Sequence, residues 1–378
     1  MAKRVPLFSG FSGINNVVPT TRIGIDQNGF AGLEAANNVF IDAAGVIETV
    51  PDGLVKIAGV FHSVWGMADK FYCVKDETIS STIYQGEVVD GAISMRTVVS
   101  GLTKGVKVSY TKLGDDVYYS NGVDNGYING IVRYSWPTQK NSRLPNLNTF
   151  VPGTHIDVLA GRMLSINDDE IQFSESFLPG LYNEHKNRRR LMSSGRMVCS
   201  VGTGAYVSDA DCVYFLHGVN PNEWKLERVL NFPSVEYGCN AKLVDPSFFG
   251  FQSRQLAALF NTVNGLCLGM PTGEVHNLID KKYRSTIDYA AMTVLYDSLV
   301  VLSSNDGGIL VQCVRDEIGN KSVTEWYGGF NSLFATASNA VVGASDSGLS
   351  LLWGQVDAIT SGLEMLPDLE MLSDLEMI

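Results

Sequence analysis

Histidines, which bind metals and transfer protons, are few in this sequence and stand far apart. No two of the five histidines lie within five residues of each other, so neither an HxH nor an HExxH metal-binding pair is present. The histidines are His62, His155, His185, His217 and His276. His62 precedes a strand-like segment and is predicted to serve the structure. The spacing points to no metal site, although folding could still assemble one.

Three short segments resemble chemical motifs without completing them. Residues 202–207 begin like a GxGxxG nucleotide loop but lack the third glycine, and residues 343–348 resemble a nucleophile elbow whose last glycine comes one position late. Residues 167–170 cluster carboxylates that suit a calcium ion, but their pattern is typical of a solvated hairpin turn. We therefore predict no catalytic, cofactor-binding or metal-binding residues and no enzymatic activity.

Basic residues concentrate at Arg188, Arg189 and Arg190, which follow Lys186. Residues 176–194 around them are predicted to form a polar loop between two repeats. A solvated loop explains such a cluster, and so does docking onto an acidic partner or a phosphate backbone. The three arginines are candidate interface residues, and a neighbour's acidic tail is one candidate contact.

The composition narrows the function classes. A formal net charge of −12 and a pI near 4.9 argue against tight nucleic-acid binding, because that binding relies on lysine and arginine neutralising phosphates. DNA could still slide past such a surface. The six cysteines form no CxxC pair and lie in apolar stretches, which is typical of buried thiols in a reducing compartment. Apolar runs stay far below the roughly 20 residues of a membrane-spanning helix.

A short apolar strand followed by a polar turn recurs along most of the chain. The strand centres are Tyr72, Tyr118, Met163, Tyr214, Leu266, Val300 and Leu351. Most intervals between them are close to the about 40–50 residues of a four-stranded propeller blade. The predicted fold is therefore all-β, a β-propeller-like repeat of six to seven small antiparallel sheets. The interval from Leu266 to Val300 is clearly shorter than the others, which leaves a pair of β-sandwiches or a solenoid open.

Three parts of the chain are predicted. Residues 1–57 form an extended N-terminal arm that ends in a hairpin over residues 39–50, residues 58–358 form the propeller, and residues 359–378 form an acidic tail. In the tail a six-residue repeat would place apolar residues on one face of a strand. Candidate interface residues there are Leu363, Met365, Leu369, Met371 and Leu375. Its acidic composition is typical of a disordered tail. If the tail is held, a neighbouring subunit holds it more easily than its own domain does.

Two segments of the arm resemble a set of tailed-phage virion proteins. They are residues 12–19, SGINNVVP, and residues 33–45, LEAANNVFIDAAG. Residues 61–65, 161–182 and 213–221 add further matches, so the similarity extends from about residue 10 to about residue 285. The chain departs from that set in lacking arginines after Gly45. It is also short for the set, which puts fibre-docking domains in doubt.

The resemblance is to the tail nozzle, or packaged-DNA stabilisation, propellers of short-tailed phages. It implies a virion tail protein, made in the host cytoplasm, that forms a homohexameric ring on adaptor or portal-proximal tail proteins and can carry fibres. The ring would close the DNA exit channel and retain DNA until ejection, without binding DNA specifically. Ile14, Asn15 and Asn16 in the arm are candidate interface residues.

Two other functions stay open at the level of sequence. A tail-tip receptor-binding or fibre-anchoring protein would need an exposed aromatic patch, for which Tyr118, Tyr119 and Tyr127 are candidates. A glycan-processing propeller enzyme is the third hypothesis. The failed motif searches weigh against it.

Overall fold

The computed structural model describes residues 10–17, 30–33, 35–41, 46–50, 54–138, 146–236, 242–284, 287–313, 318 and 321–353. Their regular secondary structure is almost entirely β-strand. The first five strands are β1 (Gly10–Ile14), β2 (Phe30–Leu33), β3 (Val39–Ile41), β4 (Ile47–Thr49) and β5 (Leu54–Ala58). β1 pairs with β2 in parallel, and β3 and β4 form the predicted hairpin.

Seven four-stranded antiparallel sheets, here called blades 1 to 7, follow in the described part of the chain. Blades 1 and 2 consist of β6 (Val60–Met67), β7 (Lys70–Asp76), β8 (Ser81–Val89) and β9 (Ala92–Leu102), then β10 (Ser109–Leu113), β11 (Asp116–Ser120), β12 (Asn125–Asn129) and β13 (Val132–Tyr134). Next come β14 (Leu147–Thr149), β15 (His155–Leu159), β16 (Arg162–Asn167), β17 (Glu170–Phe173), β18 (Leu181–Asn183) and β19 (Arg188–Arg190). Of these, β15, β16, β17 and β19 are blade 3, whereas β14 pairs with β18.

The remaining blades are as regular. Blade 4 contains β20 (Gly195–Val201), β21 (Gly204–Asp209), β22 (Val213–His217) and β23 (Lys225–Leu230), and blade 5 contains β24 (Lys242–Val244), β25 (Ala257–Thr262), β26 (Gly265–Gly269) and β27 (Val275–Asn277). Blade 6 contains β28 (Ala291–Leu295), β29 (Leu299–Ser304), β30 (Gly307–Gln312) and β31 (Ser322–Trp326). Blade 7 contains β32 (Ser332–Ala335), β33 (Val341–Ala344) and β34 (Gly348–Leu352). A 3₁₀ turn, Pro246–Phe249, precedes β25.

The fourth strand of blade 7 comes from the other end of the propeller sequence. β5 pairs antiparallel with β34, from Gly348 opposite Ala58 to Leu351 opposite Leu54. This pairing closes the ring, so the first and last segments of the propeller lie side by side. The predicted boundary between residues 57 and 58 falls inside β5, because the end of the predicted arm forms a strand of blade 7 that the sequence analysis did not predict.

The ring has seven blades, and the all-β propeller prediction is confirmed. The short predicted interval from Leu266 to Val300 arose because the strand centres used for the count occupy different positions within their blades. Tyr72, Tyr118, Met163 and Val300 lie in the second strand of their blades, whereas Tyr214, Leu266 and Leu351 lie in the third. Counted between the starts of second strands, the intervals are more nearly equal, and the short one disappears. The sandwich and solenoid alternatives are therefore wrong.

Burial follows the position of a strand within its blade. All six residues of β21, of β25 and of β29 are buried, because both faces of these strands pack against neighbouring blades. The outer strand β13, in contrast, has only exposed residues. Close packing leaves no room for a side chain at Gly269, where a Cβ atom would lie 2.5 Å from the Tyr206 ring. The core is thus distributed between blades and not gathered at one centre.

One loop prediction is wrong. Within residues 176–194, β18 and β19 are strands, and the Arg188–Arg190 segment is the outer strand of blade 3, paired with β17. Outer strands are partly solvated, so a run of charged residues can occupy one. A sequence pattern based on apolar residues does not detect such a strand.

Candidate functional site

The innermost strands of five consecutive blades surround a cavity at the centre of the ring. Strands β6, β10, β15, β20 and β24 form its wall, and its volume is about 480 Å³. A second cavity of about 240 Å³ lies against β24, β28 and β32, and the two cavities share Gly66, Lys242 and Leu243. Together they are called the central channel. The side chains considered below are Trp65, Tyr110, His155, Asp157, Cys199 and Lys242.

Asp157 on β15 connects three blades. Its carboxylate accepts hydrogen bonds from Thr111 Oγ1 at 3.2 Å, from Val158 N at 2.8 Å and from Ser200 N at 2.5 Å. Burial raises the pKa of Asp157, and these hydrogen bonds oppose that rise. The carboxylate is therefore well satisfied by donors, although it lies away from bulk water.

Lys242 on β24 is in a different situation. Its ammonium lies 5.8 Å from the centre of the Phe334 ring, and it makes no hydrogen bond or ion pair with the residues that the structure describes. Lys242 keeps some accessible surface because it faces the channel, but the surrounding protein desolvates its charge. This desolvation lowers its pKa to about 8. A cation in such a place is stabilised by any anion that enters.

Cys199 and His155 complete the ionisable part of the wall. Burial raises the pKa of the Cys199 thiol well above its usual value, so the thiol stays protonated and is a poor nucleophile. Burial lowers the pKa of His155 to about 4, so its imidazole is neutral at pH 7. His155 Nδ1 lies 2.8 Å from Thr154 Oγ1. Neither group has the properties of an activated catalytic residue.

A serine, a histidine and an aspartate are hydrogen-bonded in series near the channel. Ser63 Oγ lies 2.7 Å from His62 Nδ1, and His62 Nε2 lies 3.4 Å from Asp76 Oδ1. The residue types are those of a hydrolase triad. Ser63 Oγ, however, also accepts Val108 N–H at 3.0 Å, and Asp76 accepts Gly105 N–H at 3.1 Å. We interpret these hydrogen bonds as a structural connection between blade 1 and the segment that leads to blade 2. This agrees with the prediction that His62 serves the structure.

The start of the arm is fastened to blade 6 of its own chain. Ile14 is buried in the core that includes Val323, and Asn15 N donates to Leu33 O at 3.0 Å. The Asn16 side chain bonds the backbone of Arg284 twice, from Nδ2 to the carbonyl oxygen at 3.0 Å and from the Arg284 N–H to Oδ1 at 2.8 Å. The contact of these predicted interface residues is therefore intrachain. A role between subunits stays a prediction.

The second part of the arm adds to the edge of the same blade. Asn38, in the left-handed region with φ 54°, donates its N–H to Glu325 O at 2.7 Å, and Glu325 N donates to Ala36 O at 2.9 Å. Val50 N donates to Asn38 O at 3.1 Å, and Val50 is buried. These bonds occupy backbone groups of β31 that would otherwise face solvent as an open sheet edge.

The basic cluster and the acidic turn that the sequence singled out lie against each other. Arg188 forms an ion pair with Glu170 at 3.6 Å, and Arg190 Nε lies 2.9 Å from Asp169 Oδ2. Arg189 donates to Pro221 O at 2.7 Å. In the described residues no group of three or more histidine, cysteine, aspartate or glutamate side chains could hold a metal ion. The arginines remain a candidate interface, but their charge is partly neutralised within the chain.

The predicted aromatic patch is not exposed. Tyr118 is 5% exposed and Tyr119 is fully buried, so the hypothesis of an exposed patch at these residues is wrong. Tyr127 stacks between Tyr118, with ring centres 5.3 Å apart, and Tyr134, with ring centres 4.9 Å apart. The pattern was misleading because large aromatic side chains are common both at interfaces and between blades.

The candidate interface residues of the tail, Leu363, Met365, Leu369, Met371 and Leu375, lie outside the described residues. Their proposed contact with a neighbouring subunit stays a prediction. Among the residues that are described, no helix is long and apolar enough to cross a membrane.

Comparisons with known proteins support the fold. No protein family and no curated protein matches the sequence. Among solved structures, the WD40 β-propeller domain of Doa1 matches with a TM-score of 0.50 and 11% identity, covering 82% of this chain and 97% of that one. The extracellular domain of a proposed hybrid two-component system from B. thetaiotaomicron has a TM-score of 0.53 and 10% identity, covering 80% of this chain and 40% of that one. At such identities the likeness shows the propeller fold alone.

Proposed function

We propose that the protein is a structural component of a phage tail, namely the nozzle or hub ring that closes the DNA exit channel. The observation that carries the proposal concerns the two arm segments that resemble phage virion proteins. Asn16 lies in the first segment and Asn38 in the second, and both bond the backbone of blade 6 or of the segment before it. Asn16 acts through its side chain, and Asn38 holds a φ of 54° that asparagine tolerates, so the resemblance falls on residues with a structural role in the arm.

The architecture suits a part that must resist force without changing shape. A ring of blades leaves few open sheet edges, and the β5–β34 pairing fastens its two ends together. The net charge of −12 limits attraction to phosphates, so DNA could pass a ring of such subunits without being retained by charge. The proposal includes a homohexamer on adaptor or portal-proximal proteins and assigns no covalent chemistry to the chain.

The test combines the virion with the purified protein. We expect mass spectrometry of purified virions to detect the protein, native mass spectrometry of the full chain to give a hexamer, and particles made without it to lose packaged DNA. Absence of the protein from virions would overturn the proposal. A different closed ring found in virions would overturn only the subunit number.

A matched pair of asparagine variants tests the role of the arm. Asn16→Ala removes the two bonds to Arg284, whereas Asn129→Ala removes one surface bond to Asp116, of 2.7 Å. We expect only Asn16→Ala to increase protease cleavage within the arm and to lower the yield of DNA-filled particles. Equal yields of DNA-filled particles from the two variants would show that the contact of the arm with Arg284 does not contribute to tail function.

A further inference from the structure

The feature that the structural role leaves unused is the ammonium of Lys242. Lys242 lies where the two cavities of the central channel meet, since it lines both of them. Its ammonium has the Phe334 ring 5.8 Å away and no hydrogen-bonded or ion-paired partner in the described part of the chain. A desolvated cation that faces a cavity of about 480 Å³ is suited to bind an anion.

We propose that the central channel binds a small monocarboxylate, whose carboxylate pairs with the Lys242 ammonium. This site is independent of the tail function proposed above. It concerns the interior of one propeller and requires neither a ring of subunits nor a virion.

The charges of the wall limit the ligand to a single negative charge. Asp157 lines the larger cavity, where its oxygens already accept three hydrogen bonds, so it has little need of a ligand donor. Asp245 and Asp297 line the smaller cavity. The three carboxylates repel a second negative charge on the ligand. Phosphate sites usually present arginine forks or several backbone N–H groups, whereas here a single ammonium is available. A monocarboxylate matches this arrangement better than a phosphate.

The neighbouring wall favours a flat apolar body on the acid. Trp65 lines the larger cavity and is partly exposed, and its ring stacks on the buried Tyr110 with centres 5.9 Å apart and planes inclined by 20°. A cavity of this size is in the range of small-ligand pockets, which are about 300–1,000 Å³. Aromatic rings bind flat rings by offset stacking, and Trp65 is the ring that keeps accessible surface here. Benzoate is therefore the probe of choice, and benzamide is its neutral counterpart of nearly equal shape.

The experiment is calorimetric titration of the full chain at pH 7 with benzoate, benzamide and inorganic phosphate. We expect benzoate to bind the wild type at least about tenfold more tightly than benzamide or phosphate. Lys242→Met should remove that preference, and Lys242→Arg should keep most of it because the charge remains. The matched control is Lys281→Met, because Lys281 is an exposed lysine that lies outside the channel. It should bind benzoate like the wild type.

Each contrary result overturns a defined part of the proposal. Equal affinity of wild type and Lys242→Met for benzoate, or no binding of benzoate to a wild type that is folded by circular dichroism, would overturn the site. Phosphate binding that is as tight as benzoate binding and depends on Lys242 would overturn the carboxylate assignment. Because each variant is titrated in its folded state, a change in stability alone does not imitate any of these outcomes.

Discussion

The seam that closes the ring is apolar, whereas the wall of the central channel combines apolar side chains with ionisable ones. At the seam, Leu349 and Leu351 of β34 belong to an apolar cluster, and Ile57 of β5 packs against it. At the channel, Asp157 and Lys242 are ionisable groups away from bulk water. Burying apolar area stabilises the fold, whereas desolvating a charge destabilises it. The difference indicates that the seam maintains the ring and that the channel retains groups which folding alone does not require.

The largest expected effect comes from weakening the seam. Leu349 is fully buried and pairs with Ile57 across the β5–β34 junction. Leu349→Ala should lower the free energy of unfolding by about 3 kcal/mol, because it removes buried methyl groups and leaves a cavity. Urea denaturation followed by circular dichroism measures this. Val132→Ala on the outer strand β13, where Val132 is 49% exposed, is the control and should change it by less than about 0.5 kcal/mol. Similar losses for the two variants would contradict the role of the seam.

A gain of stability is expected when the charge is removed from the channel. The pKa of Lys242 is about 8 in the folded chain and about 10.5 when solvated, so the unfolded chain binds more protons between these pH values. The destabilising effect is therefore complete below pH 8 and disappears as the pH approaches 10.5. Lys242→Met should increase the free energy of unfolding by about 2 kcal/mol at pH 7.

The pH dependence of that gain distinguishes desolvation from better packing. The stability difference between Lys242→Met and the wild type should shrink steadily between pH 8 and pH 10.5, as denaturation at several pH values would reveal. Lys281→Met, at an exposed site, should show no such dependence. A gain that is constant with pH would mean that the methionine packs better, and the contrast between the channel and the seam would lose its electrostatic basis.

The smallest of the three effects concerns His155. Its pKa is about 4 in the folded chain and 6.5 when solvated, so stability should fall as the pH is lowered from 6.5 toward 4. His155→Gln should reduce the stability lost between pH 7 and pH 5.5 by about 1 kcal/mol. The raised pKa of Asp157 acts in the opposite direction, so the two contributions are separated by comparing each variant with the wild type. His185→Gln, at an exposed histidine, is the control, and an equal change there would contradict the assignment.

The repeat of strands was predictable because each strand carries a local signal. Tyr118 and Val300 lie within short apolar runs that end at polar turns, a pattern that favours strands when β-branched and aromatic residues are frequent. The position of a strand within its blade has no comparable signal, which is why Leu266 and Val300 gave a false short interval. The outer strand at Arg188–Arg190 was not predicted for a different reason, because its charged side chains are typical of a loop.

The channel was not predictable, because its groups meet only through ring closure. Asp157, Cys199 and Lys242 come from the first strands of three blades, and each stands alone in its own sequence context. Tyrosines gave a misleading prediction of an exposed patch. Tyrosine is common at interfaces, but Tyr119 is buried and packs between blades. In the arm, Asn15 and Asn16 drew attention only through the resemblance of their segment to phage virion proteins. The partner of Asn16, Arg284, lies too far along the chain to be inferred from spacing.

The pairing of β5 with β34 also sets an order of events during synthesis. β5 is made first, and almost the whole propeller sequence separates the partners Ala58 and Gly348. While the ribosome produces blades 1 to 6, β5 has no partner strand. Its unpaired backbone N–H and C=O groups can then form hydrogen bonds with another chain. Contacts of such long sequence separation form late and slowly. The last event of folding is therefore the meeting of the two ends, and a nascent chain that stops before β34 cannot complete the ring.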